Sequence, residues 1–105
     1  MVNIECMVSI LKHMDENIKG YAFKGNLQRD INNAVGENTY SDDEIRKNTN
    51  ALVRTGLIEE GRGNAFYIKR TEAGNRMLQA LLQTGDCQVM ARYVDAKKDL
   101  LKNLY

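Results

Sequence analysis

Apolar residues recur at helical spacing in five stretches of the chain. These stretches cover approximately residues 2–17, 26–36, 41–56, 71–84 and 86–105. Spacings of three and four residues place the apolar side chains on one face of each helix, which predicts five amphipathic helices. The first stripe, with Ile4, Met7, Leu11, Met14 and Ile18, is wider than one small core requires, so part of it could meet a second subunit.

The stretch from Tyr40 to Leu57 carries the strongest local signals for a helix. Ser41 and Glu44 have the spacing of a capping box, and Tyr40 and Ile45 that of a hydrophobic staple. The predicted buried face comprises Ile45, Thr49, Leu52, Val53 and Gly56. Gly56 supplies the left-handed residue that ends the helix, which allows Leu57 to fold back onto Leu52.

After this helix the pattern predicts short strands. Residues 57–60 and 65–70 are expected to form a hairpin around a tip at residues 61–64, and residues 21–23 a third strand beside it. Thr71 can cap the next helix, Gly85 can end it, and Asp86 can cap the last one. Gly74 inside a helix predicts close packing against a neighbour. The expected fold class is mainly α with a small β-hairpin, that is, α+β.

Size and composition restrict the function classes. A chain of 105 residues is one domain, and its 43% hydrophobic and 28% charged content is typical of a globular protein. The formal net charge is only +1, so any contact with nucleic acid requires a local concentration of basic residues. Cys6 and Cys87 have no second ligand at metal-binding spacing, and a reducing cytoplasm fits them best. No leader or membrane-spanning stretch is expected.

Enzymatic chemistry has little support in the sequence. The paired acids at 15–16, 42–43 and 59–60 are adjacent along the chain and are expected on the surface rather than in a cleft. The glycines around Arg62 lack the following helix that a phosphate-binding loop requires. His13, the only histidine, is predicted to be a solvated surface residue. We therefore expect neither an enzyme nor a cofactor.

The order of these elements resembles a known family. A helix that runs into Gly56-Leu57-Ile58, a glycine-rich hairpin tip, and Thr71-Glu72-Ala73-Gly74 after the hairpin resemble winged helix-turn-helix DNA-binding proteins. The resemblance covers about residues 27–82 and is strongest to small prokaryotic regulators of the MarR and PadR type. It implies a winged-helix DNA-binding domain over residues 1–85 and a dimerisation helix over residues 86–105 packed on it.

The resemblance also implies which residues would contact DNA. The central helix would present its exposed side to the major groove, the hairpin would contact the flanking backbone or minor groove, and the start of the second helix would add phosphate contacts. The candidates are Arg46, Lys47, Asn50 and Arg54; Arg62, Asn64 and Lys69; and Lys24, Gln28 and Arg29. Asp42, Asp43 and Glu44 depart from this surface, although they suit the helix dipole.

Helix 86–105 has a wide apolar stripe that needs a cover. It could fold back on its own domain, but a twofold interface with the first helix is favoured. The candidate interface residues are Ile4, Leu11, Met90, Tyr93, Val94, Leu100, Leu101 and Leu104.

The expected function is sequence-specific binding of double-stranded DNA by a homodimer, with transcriptional repression as its biological role. Two alternatives remain open. One is a plasmid or phage DNA-partition adaptor, which binds centromere-like sites and a partner protein. The other is a winged helix used for protein–protein interaction, which the net charge near zero keeps open.

Overall fold

The computed structural model describes residues 2–16, 21–23, 40–62, 66–85 and 87–101. Its elements are α1 (Ile4–Glu16), β1 (Tyr21–Phe23), α2 (Asp42–Arg54), β2 (Ile58–Arg62), β3 (Phe66–Arg70), α3 (Glu72–Thr84), α4 (Gln88–Ala96) and a 3₁₀ helix (Lys98–Leu101). The described part of the chain is thus mainly helical with a small sheet, and the α+β class is confirmed. The predicted helix at 26–36 lies outside the described residues.

The sheet is antiparallel with the strand order β1-β3-β2. Both the hairpin and the third strand beside it are confirmed. The pairing of β2 with β3 continues past Glu60, because Gly61 lies opposite Tyr67 and Arg62 opposite Phe66. The predicted tip at residues 61–64 was therefore too long at its start, and Arg62 is the last residue of a paired strand.

α2 begins as its sequence predicts. Ser41 Oγ accepts a hydrogen bond from the Glu44 backbone N–H at 3.1 Å, and the Glu44 carboxylate accepts one from the Ser41 N–H at 3.4 Å. This capping box satisfies amides that have no partner within the helix. The two staple residues, Tyr40 and Ile45, are both buried.

α2 ends in a Schellman motif. Gly56 has φ +83°, the left-handed conformation that favours glycine. The Leu57 N–H donates to the Leu52 carbonyl at 3.0 Å, and the Gly56 N–H to the Val53 carbonyl at 3.1 Å. Leu52 and Leu57 are both fully buried. The chain therefore leaves the helix in a fixed direction, toward β2.

The core lies between α1, α2, the sheet and the two later helices. Its largest fully buried apolar side chains are Met7, Ile10, Leu11, Leu52, Leu57, Ile58, Ile68, Met90 and Leu101. α1 packs against α2 and also contacts α3 and α4. Because α1 contacts each of these helices, Met7 and Leu11 of its apolar stripe are buried within the single chain.

α3 has the predicted caps and the predicted close approach. Thr71 Oγ1 accepts from the Gly74 N–H at 3.1 Å, and Gly85 ends the helix with φ +64°. A Cβ atom on Gly74 would lie 2.0 Å from the Leu57 carbonyl oxygen. That separation is far below van der Waals contact, so only glycine allows α3 to pack directly on the backbone of Leu57, between α2 and β2. Leu82, also in α3, is 60% exposed.

The last predicted helix is divided. α4 ends at Ala96, and a 3₁₀ helix follows Lys97. Cys87 occupies the N-cap position and makes no capping hydrogen bond through its side chain. The prediction of one continuous helix was wrong. After the break at Lys97, Leu101 is buried in the core while Leu100 remains 51% exposed. Within the described ranges, no helix has both the length and the apolar character to span a membrane.

Candidate nucleic-acid interface

The outer side of α2 carries the predicted basic residues. Arg46, Lys47 and Arg54 are exposed, and Asn50 is partly exposed. The opposite side of the same helix is buried through Ile45 and Leu52, among others. α2 is therefore a surface helix with one polar face, and three cationic side chains of that face reach solvent.

One acidic residue shares this face with the basic ones. Asp43, in the first turn of α2, forms an ion pair with Arg46 through Oδ1, and its Oδ2 lies 3.9 Å from Lys47 Nζ. These spacings of three and four residues bring side chains together on a helix surface. All three side chains are well exposed, so the pairs add little to stability, but they reduce the positive charge of this end of α2.

Arg54 has a different environment. It lies in the last turn of α2, where a cation interacts favourably with the helix dipole. Among the described residues it has no ion-pair partner. None of the described acidic side chains therefore competes for Arg54 with an anion in solution, such as a phosphate.

The hairpin offers a second basic position, which is also paired. Lys69 of β3 lies opposite Glu59 of β2, and its Nζ is 3.4 Å from the Glu59 carboxylate. Both side chains are about half exposed. Lys69 can contact an external anion only in competition with Glu59.

Four further candidates lie outside the described residues. They are Lys24, Gln28, Arg29 and Asn64. Their predicted roles stay predictions.

Sequence reasoning missed Asn48, which is fully buried on the inner side of α2. Its carboxamide oxygen accepts from the Asn3 N–H at 2.7 Å, and its nitrogen donates to the Glu44 carbonyl at 2.7 Å. The sequence feature that could have revealed its burial is its spacing, because Asn48 lies three residues after Ile45 and four before Leu52. It thus falls on the apolar face, where a polar side chain needs partners.

Three consecutive backbone carbonyls after α2 accept hydrogen bonds from later parts of the chain. The Thr55 carbonyl accepts from the Tyr93 hydroxyl at 2.5 Å, and the Gly56 carbonyl from the Thr71 hydroxyl at 2.5 Å. The Leu57 carbonyl accepts from the Thr71 N–H at 3.1 Å. The C-terminal end of α2 is therefore held by α4 and by the start of α3, while Asn48 holds the middle of α2 to α1.

The predicted interface residues divide by burial. Leu11, Met90, Val94 and Leu101 are buried in the core of the single chain. Their assignment to a subunit interface is corrected, because side chains that already fill the chain's own core have no surface to offer a partner. Tyr93 is partly buried and its hydroxyl donates a hydrogen bond to the Thr55 carbonyl at the end of α2, Ile4 is partly buried, and Leu100 is exposed. Leu104 lies outside the described residues.

The two cysteines differ in environment. Cys6 is fully buried beside Asn48, whereas Cys87 is exposed. Burial, together with the negative charge of Glu44, raises the pKa of the Cys6 thiol from 9.0 to about 12, although a hydrogen bond with Asn48 acts in the opposite direction. No three His, Cys, Asp or Glu side chains come together as a metal site in the part of the chain that the structure describes.

Comparisons of the chain with known protein families, with curated proteins and with solved structures found no match.

Proposed function

We propose that the chain is a winged helix-turn-helix protein that binds double-stranded DNA sequence-specifically as a homodimer and represses transcription in the cytoplasm. The observation that carries the proposal is the placement of α2. This helix exposes Arg46, Lys47 and Arg54 on one face and is attached to the rest of the chain at its middle and at its C-terminal end.

The dimensions of α2 suit the major groove. Its thirteen residues span about 20 Å, and the major groove of B-DNA admits a helix of this diameter. Asn50 and Arg46 carry groups that can make two-point contacts with adenine and guanine. Lys47 and Arg54 would contact phosphates, which set the register of the protein on the duplex.

The hairpin supplies the second contact region. β2 follows α2 directly through the Schellman motif, so the helix and the hairpin have a defined relative orientation. Lys69 and Arg62 would contact the DNA backbone or minor groove beside the major groove that holds α2. Lys69 would exchange Glu59 for a phosphate on binding.

The homodimer rests on the exposed apolar side chain of Leu100, with Ile4 and Tyr93 beside the same core. In a twofold dimer the two α2 helices would enter successive major grooves about 34 Å apart. The DNA site would then contain two half-sites.

The test is binding of the full chain to a duplex selected from random DNA, measured by fluorescence anisotropy over a range of salt concentrations. We expect affinity to fall steeply with salt, because phosphate contacts release counterions. Arg54→Ala should weaken binding to all sequences and reduce the salt slope by about one. Arg92→Ala, which removes an exposed cation of α4, is the matched control and should leave binding unchanged.

One observation favours a different class of partner. Asp43 and Glu59 each pair with cations of the proposed surface, which lowers its positive charge. A protein-interaction module would have this property. No binding to any duplex at low salt would favour that module and reject the DNA proposal, and spreading over tandem repeats would favour a partition adaptor over a repressor.

A further inference from the structure

We propose that Asp43 and Arg46 act as one base-reading unit, in which Asp43 is a positioning residue that directs Arg46 to a guanine rather than to a phosphate. The inference rests on the proposed DNA binding and adds a chemical class of target to it. Each half-site would contain a guanine at the position that Arg46 contacts.

The backbone around the pair is firmly placed. Asp43 lies between Ser41 and Glu44, whose side chains form the capping box. Arg46 follows Ile45, which is buried in the core. Because both neighbours are held, the relative position of Asp43 and Arg46 is set by the helix, and their ion pair crosses one turn.

The chemistry of the pair leaves Arg46 able to read a base. A guanidinium has five N–H groups, and the ion pair involves only its Nη2 nitrogen. A two-point contact with guanine O6 and N7 requires two N–H groups. Asp43 therefore limits the conformations of a long side chain without removing its capacity for a two-point contact.

The charge of Asp43 separates the two possible DNA partners of Arg46. A phosphate at Arg46 would bring a second negative charge close to the Asp43 carboxylate, and the two would repel each other. The O6 and N7 atoms of guanine are acceptors on an uncharged base, so this repulsion is much smaller. Asp43 thus disfavours contact between Arg46 and the DNA backbone and leaves contact between Arg46 and guanine available.

Arg54 provides the contrast on the same helix. It is exposed, and no acidic side chain among the described residues pairs with it. None of these described side chains competes with a phosphate for Arg54. The two arginines of α2 would therefore have different roles, with Arg46 reading sequence and Arg54 adding affinity.

The experiment compares affinity for the selected duplex with affinity for a random duplex. The wild type is measured beside Asp43→Asn, Asp43→Glu and Arg54→Ala. Asp43→Asn removes the charge at nearly constant size, so we expect tighter binding to random DNA and a ratio of selected to random affinity lowered on the order of tenfold. Asp43→Glu keeps a carboxylate within reach and should restore most of the ratio. Arg54→Ala should weaken both affinities and leave the ratio unchanged.

A modified duplex identifies the base. Replacing guanine by 7-deazaguanine removes the N7 acceptor, and it should weaken the wild type at one position of each half-site. The same replacement should have little effect on Arg46→Ala.

The outcomes separate this inference from the proposed function. If the wild type prefers its selected duplex but Asp43→Asn keeps the same ratio, the pairing inference is overturned and DNA binding stands. If 7-deazaguanine has no effect at any position, the guanine assignment is overturned. If the wild type binds no duplex at low salt, both the proposed function and this inference are rejected. Melting temperatures of all variants establish that each is folded.

Discussion

The carboxamide of Asn48 joins the beginning of α1 to the middle of α2. Its oxygen accepts from the backbone N–H of Asn3 at 2.7 Å, just where Asn3 caps α1 by accepting from the Cys6 N–H at 3.2 Å. Its nitrogen donates to the Glu44 carbonyl, one turn back along α2. A single buried side chain therefore makes hydrogen bonds to both helices. The placement of α2, the helix proposed to contact DNA, depends in part on the hydrogen bond between Asn48 and Asn3.

Asn48→Ala should destabilise the protein by about 2–3 kcal/mol, because it removes two hydrogen bonds and leaves the Asn3 N–H without its partner. Urea denaturation followed by circular dichroism measures the change in the free energy of unfolding.

Asn50→Ala is the matched control for Asn48→Ala. Asn50 is two residues away on the same helix, is partly exposed, and makes no side-chain hydrogen bond to another described residue. Its replacement should change stability by less than about 0.5 kcal/mol. Equal effects of the two substitutions would show that the Asn48 bridge contributes nothing.

Gly74→Ala should destabilise the protein by about 2 kcal/mol, because the added Cβ would lie 2.0 Å from the Leu57 carbonyl oxygen. Helix propensity alone predicts the opposite sign, with alanine about 1 kcal/mol more stable than glycine. Thermal unfolding therefore distinguishes the two by direction. Gln79→Gly, at an exposed position of α3, is the control for propensity and should cost about 1 kcal/mol. A more stable Gly74→Ala variant would exclude the close contact.

Thr71→Val should destabilise by about 2 kcal/mol, because the Thr71 hydroxyl both caps α3 and donates to the Gly56 carbonyl. Valine has nearly the same shape and lacks the hydroxyl. Thr71→Ser keeps the hydroxyl and should stay within about 0.5 kcal/mol of the wild type. If valine is as stable as serine, the hydrogen bonds of the Thr71 hydroxyl contribute nothing. Chemical denaturation of the three proteins decides between these outcomes.

The parts of the fold that sequence reasoning predicted depend on short-range signals. The capping box of Ser41, the Schellman glycine at Gly56 and the caps of α3 each involve residues no more than a few positions apart. Gly74 was predicted to mark a close approach because a glycine inside a helix has a cost that packing can explain. Its partner, the Leu57 carbonyl, could not be named, because that contact joins residues distant in the sequence.

The errors arose where distant segments decide burial. An apolar stripe shows that a helix face needs a cover, but it does not show whether the cover is the same chain or a second one. Leu11 and Met90 are buried in one chain because of where α1 packs. Local sequence patterns carry no information about that packing. The ion pair between Asp43 and Arg46 could have been predicted from the sequence, since the two residues are three positions apart on a helix.

Leu100→Glu should convert the proposed dimer into monomers, because a charged side chain would replace the exposed apolar one in the proposed interface. Sedimentation velocity at several concentrations measures the change. Leu82→Glu is the control, since Leu82 is also an exposed leucine but lies on α3, outside the proposed interface. A wild type that stays monomeric at every concentration would reject the dimer. A dimer lost only in the Leu82 variant would move the interface to α3.

Alkaline pH should destabilise the protein through Cys6. Its pKa is raised from 9.0 to about 12 in the folded chain, so between these values the unfolded state loses the thiol proton while the folded state keeps it. Stability therefore is unaffected by Cys6 below about pH 9 and declines as pH rises toward 12. Denaturant unfolding at pH 8 and pH 10.5 should show a larger loss for the wild type than for Cys6→Ala, which has no thiol to ionise. Cys87→Ala, which removes the exposed cysteine, should keep the wild-type pH dependence. The same pH dependence in the Cys6→Ala variant would assign the decline to other groups.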